Sequence, residues 1–174
     1  DAYNVIDFIT IASTGNSQDF GDLTYIATAG SGAADNTRAI FAGGYNSISP
    51  YLGPSGVGST WKYIDYATIA STGNSSGFGE LTLGRAVRFS ASSPTRGVFG
   101  SGRVTMSNHA LGMTRTNLID YVTIATQGDA IDFGDILPSQ GYVESFTGNA
   151  GNSSTRAIIC SGDDAGGSGN DNEL

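Results

Sequence analysis

Carboxylates are the most frequent groups in this chain that could do chemistry, and their spacing repeats. The chain has 174 residues, with 16 Asp or Glu, one His and one Cys. Two acidic positions each recur three times along the chain: Asp7, Asp65 and Asp120, and then Asp22, Glu80 and Asp135. A pair of carboxylates could hydrolyse glycosides, but such a pair occurs once in an enzyme. A carboxylate that recurs in every segment usually satisfies backbone groups at a turn or strand edge, so we expect structural roles.

The other polar groups do not form a catalytic or metal-binding pattern. His109 is the only histidine, whereas a hydrolase triad or a zinc centre needs a His with defined partners. The segment 162–173, GDDAGGSGNDNE, is rich in oxygen ligands but lacks the ordered spacing of a calcium loop. We therefore expect no enzymatic activity, no cofactor and no metal. We interpret residues 163–174 as a flexible Gly/Asp/Asn tail.

Charge and cysteine content limit the partners. A formal net charge of −8 and a pI near 4.3 disfavour binding to nucleic acid through a basic surface. Three of the seven arginines, Arg38, Arg96 and Arg156, occupy one repeated position, which indicates a structural role. Cys160 is alone, so no intramolecular disulfide can form, and we expect its side chain to be buried. No apolar stretch approaches the roughly 18 residues that span a membrane, so we expect no membrane insertion.

One 19-residue phrase occurs three times without a gap and defines the organisation of the chain. It covers residues 6–24 (IDFITIASTGNSQDFGDLT), 64–82 (IDYATIASTGNSSGFGELT) and 119–137 (IDYVTIATQGDAIDFGDIL). A second phrase, TRAIFAGG from Thr37, returns as TRGVFGSG and TRAIICSG from Thr95 and Thr155. Two fixed phrases in each period of 55 to 60 residues indicate a repeat protein.

Each period is interpreted as four strands, because Ile, Val, Thr, Tyr and Phe dominate the phrases while Gly and Asn mark the turns. No window has convincing helical periodicity, so the prediction is an all-β fold with very little helix. Residues 84–92 are the clearest example of the first strand. The second strand is the TRxxFxGG phrase, the third is IDYxTIA, and the fourth is the short FGDLT segment. Aromatic residues anchor the fourth strand: Phe20, Phe78 and Phe133.

The phase of the repeats leaves half a unit at each end. Residues 25–82 and 83–137 make two whole units, whereas 3–24 and 138–162 are two halves of a third unit, all within a repeat domain covering 1–162. Joining the halves within one chain would give three units, fewer than the four to eight blades of typical propellers. Three explanations stay open: a fragment of a longer propeller, halves that pair between copies, or a threefold β-prism or β-trefoil. We favour the first two.

These phrases resemble known repeats. The Gly pair and the aromatics Phe8, Tyr66 and Tyr121 are similar to the kelch repeat of β-propellers, although kelch repeats usually have Trp where this chain has Phe20, Phe78 and Phe133. The wording IDYxTIAxTGNxxDFGDLT resembles repeats in virion structural proteins of marine tailed bacteriophages, particularly cyanophages, and this resemblance covers residues 3–162. It implies three kelch-like four-stranded blades in a non-enzymatic, extracellular virion component such as part of a tail fibre. Its partners would be other copies or other virion or surface proteins.

The variable loops between the second and third strands are the candidate contact regions. They cover residues 45–61 and 103–117, and the residues that we single out are Tyr45, Tyr51, Trp61 and His109. Aromatic side chains suit carbohydrate stacking or a protein interface. Trp61 could equally pack at the start of the IDY strand. The alternative function is therefore a bacterial cell-surface or secreted domain that binds glycans, and a host-surface glycan is a candidate partner.

Overall fold

The computed structural model describes residues 3–46, 59–105, 113–136 and 149–160. These residues form fourteen strands and no helix, which confirms the all-β prediction. The strands are β1 (Tyr3–Phe8), β2 (Gln18–Ala27), β3 (Ser31–Ala34), β4 (Arg38–Ala42), β5 (Tyr45–Asn46), β6 (Ser59–Thr60), β7 (Tyr63–Thr68), β8 (Ser76–Glu80), β9 (Ala86–Ser92), β10 (Arg96–Thr105), β11 (Met113–Thr123), β12 (Ile131–Asp135), β13 (Asn149–Asn152) and β14 (Ala157–Cys160).

The strands pair into small antiparallel sheets in chain order. The first full sheet has the order β3-β4-β7-β8, and the second full sheet has the order β9-β10-β11-β12. The first half-sheet is β1-β2 and the last half-sheet is β13-β14, while β5 and β6 form a two-stranded ribbon. The described strands do not close into a ring, because β1 pairs with β2 alone and β14 with β13 alone.

The hairpin before each TR phrase is fixed by a short polar side chain. Asp35 accepts hydrogen bonds from the backbone N–H groups of Thr37 and Arg38, both at 2.7 Å. Ser93 and Ser153 accept the corresponding bonds through their hydroxyl oxygens. Side chains of this type stabilise tight turns by replacing a backbone partner. The same turn therefore joins β3 to β4, β9 to β10 and β13 to β14.

The hydrophobic core lies between the two full sheets. One set of side chains belongs to the first full sheet and the segments beside it: Ala33, Ile40, Ala42, Ile64, Phe78 and Leu81. The facing set belongs to the second full sheet and the loop after β11: Val87, Phe99, Val122, Ile124 and Ala130. Side chains alternate between the faces of a strand, so each sheet has one face toward the preceding unit and one toward the following unit. The core is thus a junction between repeat units.

Candidate functional site

The Asp of the IDY strand is a hydrogen-bond acceptor that joins successive units. Asp65 is buried on β7 and accepts the backbone N–H of Thr24 at 2.7 Å and its hydroxyl at 2.8 Å. The hydroxyl of Ser75 donates a third bond at 2.7 Å. Thr24 ends the FGDLT phrase of the preceding unit, so this carboxylate ties two units together.

Asp120 repeats this contact at the next junction and adds an ion pair. It accepts the hydroxyl of Thr82 at 2.6 Å and the backbone N–H of Thr82 at 3.3 Å. The guanidinium of Arg85 donates to the same carboxylate at 2.7 Å, and both side chains are completely buried. The other guanidinium nitrogens of Arg85 donate to the backbone carbonyls of Ser101 and Phe99, both at 3.1 Å. The buried charge is therefore neutralised and hydrogen-bonded, as such a pair requires.

The loop after the IDY strand supplies a second set of contacts between units. The carbonyl of Phe20 accepts the N–H of Gly73 at 2.7 Å, and that of Asp22 accepts the N–H of Ser75 at 2.8 Å. The Asn74 side chain completes the set by accepting the N–H of Asp22 at 3.0 Å. At the next junction the corresponding residues make the same three bonds: Phe78 with Gly128, Glu80 with Ala130, and Glu80 with Asp129. Each loop therefore pairs with the fourth strand of the preceding unit.

The repeated Gly of the FGDLT phrase is explained by this close approach. A Cβ atom on Gly21 would lie 2.4 Å from the carbonyl oxygen of Gly73. A Cβ atom on Gly79 would lie 2.2 Å from the carbonyl oxygen of Gly128. Since side-chain atoms cannot approach a carbonyl oxygen so closely, only Gly fits where the two segments meet.

The repeated Arg of the TR phrase packs on the repeated aromatic of the neighbouring strand. The guanidinium carbon of Arg38 lies 4.9 Å from the ring centre of Tyr66, and that of Arg96 lies 4.6 Å from the ring centre of Tyr121. Arg38 also donates to the backbone carbonyl of Ile124 at 3.0 Å, across the junction between the full sheets. These contacts agree with the structural role that the spacing of the arginines predicts.

Two groups close to these contacts have displaced pKa values. Burial raises the pKa of Tyr25, and the nearby carboxylate of Asp65 raises it further, so the phenol stays neutral. The backbone N–H groups of Thr37 and Arg38 lower the pKa of Asp35 below its usual range. Both shifts follow from groups that hold turns and strands in place.

The described candidate contact residues lie beside the first full sheet. Tyr45 is on β5, where its backbone exchanges two 2.8 Å hydrogen bonds with Thr28. Trp61 stacks on Tyr63 with ring centres 5.5 Å apart, and its indole N–H donates to the carbonyl of Ile26 at 3.1 Å. Tyr51 and His109 lie outside the described residues, as does the side chain of Cys160. A ligand-contact role for the four loop residues stays a prediction.

The two ends of the described structure expose positions that are buried at the junction between the two full sheets. Directly after β1, Ile9 is 63% and Ile11 is 95% exposed, whereas their equivalents in the second full sheet, Val122 and Ile124, are 3% and 0% exposed. In the first full sheet, the equivalent of Ile11 is Ile69, which is 46% exposed. On the second full sheet, Phe133 is 54% exposed, although its equivalent Phe78 is 4% exposed. Asp7 is likewise exposed, unlike the buried Asp65 and Asp120. Sequence periodicity locates these positions but does not say which copies are uncovered.

A cavity of about 640 Å³ lies between the second full sheet and the last half-sheet. Its apolar lining includes Val98, Ile119 and Phe133 on one side and Ile159 on the other.

Within the described residues, no group of three or more His, Cys, Asp or Glu could hold a metal ion. No helix that could span a membrane occurs in the described part of the chain. No protein-family model matches the chain, and no curated protein matches it.

Proposed function

We propose that this chain is a non-enzymatic structural or attachment module of an extracellular particle, as a component of a phage virion or one of its appendages. In this proposal each full sheet is a kelch-like propeller blade, and the two half-sheets are parts of a third blade. The observation that carries the proposal is that the repeated carboxylates Asp65 and Asp120 join successive units at both described junctions. Carboxylates in these positions hold successive units in a fixed arrangement, as a structural module requires.

The architecture of the sheets supports blades over a β-prism or β-trefoil. Each full sheet is a meander of four consecutive antiparallel strands, which is the pattern of a propeller blade. The core lies between consecutive sheets that face each other, which is how neighbouring blades pack. Partners would be further copies of the chain or other virion proteins.

Labelling of particles tests the proposed role. Antibodies raised against the purified chain, bound to gold, are expected to decorate a fixed position on tailed-phage particles that encode the chain. Antibodies absorbed with the chain are the control. Gold on the envelopes of host cells, together with no gold on the phage particles, would overturn the virion proposal.

The aromatic residues beside the first full sheet give the glycan-binding alternative a test of its own. Trp61 is the only tryptophan, so a sugar that stacks on it should change the fluorescence of the protein. A glycan array, followed by titration of any positive sugar with Trp61→Phe as the matched variant, distinguishes the two functions. Binding that is lost in this variant would favour a glycan-binding domain.

A further inference from the structure

The part of the second full sheet around Phe133 is not covered by a following unit within the described residues. In the first full sheet, Phe78 and Ile64 occupy the equivalent positions and are buried by Val122 and Ile124 of the following unit. In the second full sheet, Phe133 and Ile119 instead line the 640 Å³ cavity. The last half-sheet covers one part of this face, because β13 and β14 both contact β9. The described residues include no third and fourth strands that would cover the rest of this face.

The residues that would fill the cavity are present at the other end of the chain. Ile9 and Ile11 occupy the positions of Val122 and Ile124 in the repeat, and both are largely exposed. The strand directly before them is also shorter than its equivalents. β1 ends at Phe8, while β7 and β11 continue two residues further along the same phrase. A strand that shortens where its neighbour is absent indicates an edge that has a partner elsewhere.

We propose that a second copy of this chain adds its β1 to the edge of β14 that pairs with no other described strand, and places its Ile9 and Ile11 in this cavity. The proposal rests on the proposed function only in treating the sheets as units of one repeat. A second copy is the expected occupant because the same interface already occurs inside the chain, between the two full sheets. Association of this kind is strand addition with pockets for alternate side chains.

The inner pairs of strands fix the register of the added strand. Ile40 lies opposite Tyr66 and Ala42 opposite Ile64 in the first full sheet. The second full sheet repeats this register at Val98 with Tyr121 and at Gly100 with Ile119. The equivalent register places Phe8 of the second copy opposite Ile158, and its Ile6 opposite Cys160. Arg156 would then lie over the ring of Phe8, as Arg38 lies over Tyr66.

The loop after β1 matches the backbone around Phe133 in the repeat. At both inner junctions a Gly N–H and the N–H two residues later bond to the fourth strand of the preceding unit. In the first half-sheet the equivalent residues are Gly15 and Ser17, and a Cβ atom on Gly15 would meet nothing within 4 Å. Gly134 in β12 is open in the same way. The two ends therefore have complementary backbone groups as well as complementary apolar side chains.

Cross-linking tests the register directly, because Cys160 is the only cysteine in the chain. Directly opposed residues of an antiparallel pair have Cα atoms roughly 4.5–5.5 Å apart, within the range that a disulfide bridges. The variant Ile6→Cys, oxidised with glutathione disulfide, is expected to form covalent dimers or larger species on a non-reducing gel. Val5→Cys is the matched control, since its side chain points to the opposite face of β1 and should give little product.

The gel distinguishes the possible outcomes. Covalent dimers or a ladder from Ile6→Cys and not from Val5→Cys support the proposal. A disulfide within one chain, seen as a monomer of altered mobility, would overturn it in favour of closure of the three units on themselves. Absence of cross-linking in Ile6→Cys, or equal cross-linking in both variants, would also overturn it.

Sedimentation equilibrium gives a second, independent readout. The wild-type chain is expected at twice its 17.8 kDa mass or more. Ile11→Asp should raise the dissociation constant by about a hundredfold, because an ionised carboxylate would replace an apolar side chain against Ile119 and Phe133. Leu83→Asp, at a 40% exposed position away from both ends, should leave it unchanged. A monomeric wild-type chain would refute this inference without refuting a virion role, which the antibody labelling tests separately.

Discussion

Removal of the Asp120 carboxylate tests whether the repeated acidic residues hold the units together. Asp120→Ala leaves the guanidinium of Arg85 fully buried with no carboxylate, and it removes the acceptor of the Thr82 hydroxyl. Breaking a buried ion pair by removing one partner costs about 3–5 kcal/mol. Since domains of this size are stable by about 5–15 kcal/mol, the loss is a large fraction of the total.

Asp7 is the matched control, because it occupies the same repeat position but is exposed and contacts no preceding unit among the described residues. Asp7→Ala is measured in the Ile11→Asp background, so that association of copies does not contribute. It should change the free energy of unfolding by less than about 0.5 kcal/mol, as at other exposed positions. Asp65→Ala should fall between the two, because Asp65 is buried but accepts hydrogen bonds from neutral groups only.

The assay is urea unfolding followed by circular dichroism and by the fluorescence of Trp61. With a urea dependence of about 2 kcal/mol per molar, Asp120→Ala should lower the midpoint by about 2 M. Agreement between the two probes establishes that a single transition is being compared.

A double variant separates the ion pair from the rest of the site. Arg85→Met in the Asp120→Ala background should recover at least about 1 kcal/mol, since it removes the unpaired charge. Equal effects of Asp120→Ala and Asp7→Ala would refute the role of Asp120 at the junction. Full additivity of the Arg85 and Asp120 substitutions would refute their coupling.

Three further substitutions test other contacts. Gly79→Ala places a Cβ atom 2.2 Å from the carbonyl oxygen of Gly128 and should cost about 2 kcal/mol or more in urea unfolding; Gly77→Ala, which meets nothing within 4 Å, should cost little. Asp35→Ser keeps the turn acceptor but removes the charge. Folding lowers the pKa of Asp35, so the ionised carboxylate stabilises the folded state. Above pH 4 the free energy of unfolding of wild type should exceed that of Asp35→Ser by less than about 1 kcal/mol. This difference should vanish as the pH falls further and the carboxylate becomes protonated. Leu137, outside the described residues, occupies the position of Thr24 and Thr82, whose hydroxyls donate to the carboxylate of the following unit. Leu137→Thr would supply the same donor to Asp7 of a second copy. It should tighten self-association about tenfold in sedimentation, whereas Leu137→Val should not.

The fold class follows from the sequence because it depends on local residue types that repeat. The TR, IDY and FGDLT phrases each correspond to strands, for example β4, β7 and β8 in the first full sheet. Chain turns at Asp35 and Ser93 have ordinary turn chemistry and are recognisable from the sequence. Local preferences and tertiary structure agree throughout these segments, which is the condition under which such predictions succeed.

The partners across the junctions could not be predicted in the same way. The recurrence of Asp65 and Asp120 indicates a structural role, but their donors lie 38 to 41 residues earlier in the chain, at Thr82 and Thr24. Arg85 has no equivalent in the other units, so repetition gives no signal for its ion pair. The Ser-Thr-Gly-Asn segment is readable as a turn, yet its pairing with the preceding unit depends on how sheets pack. Contacts of this kind belong to tertiary structure.

The proposed association also determines which assemblies are possible. The face around Phe133 differs from the face that carries Ile11, so the contact joins unlike surfaces and generates a ring or an open filament. Each copy contributes three units, and the two inner junctions use the same hydrogen bonds, so successive units should be related by a similar rotation. If each unit is a propeller blade, as proposed, a ring of two copies of this chain would have six blades, within the four to eight of typical propellers, whereas three copies would have nine. We therefore expect the closed species to be a dimer. A rotation per unit that does not close at six would give a filament through the same pairs, Ile6 with Cys160 and Phe8 with Ile158.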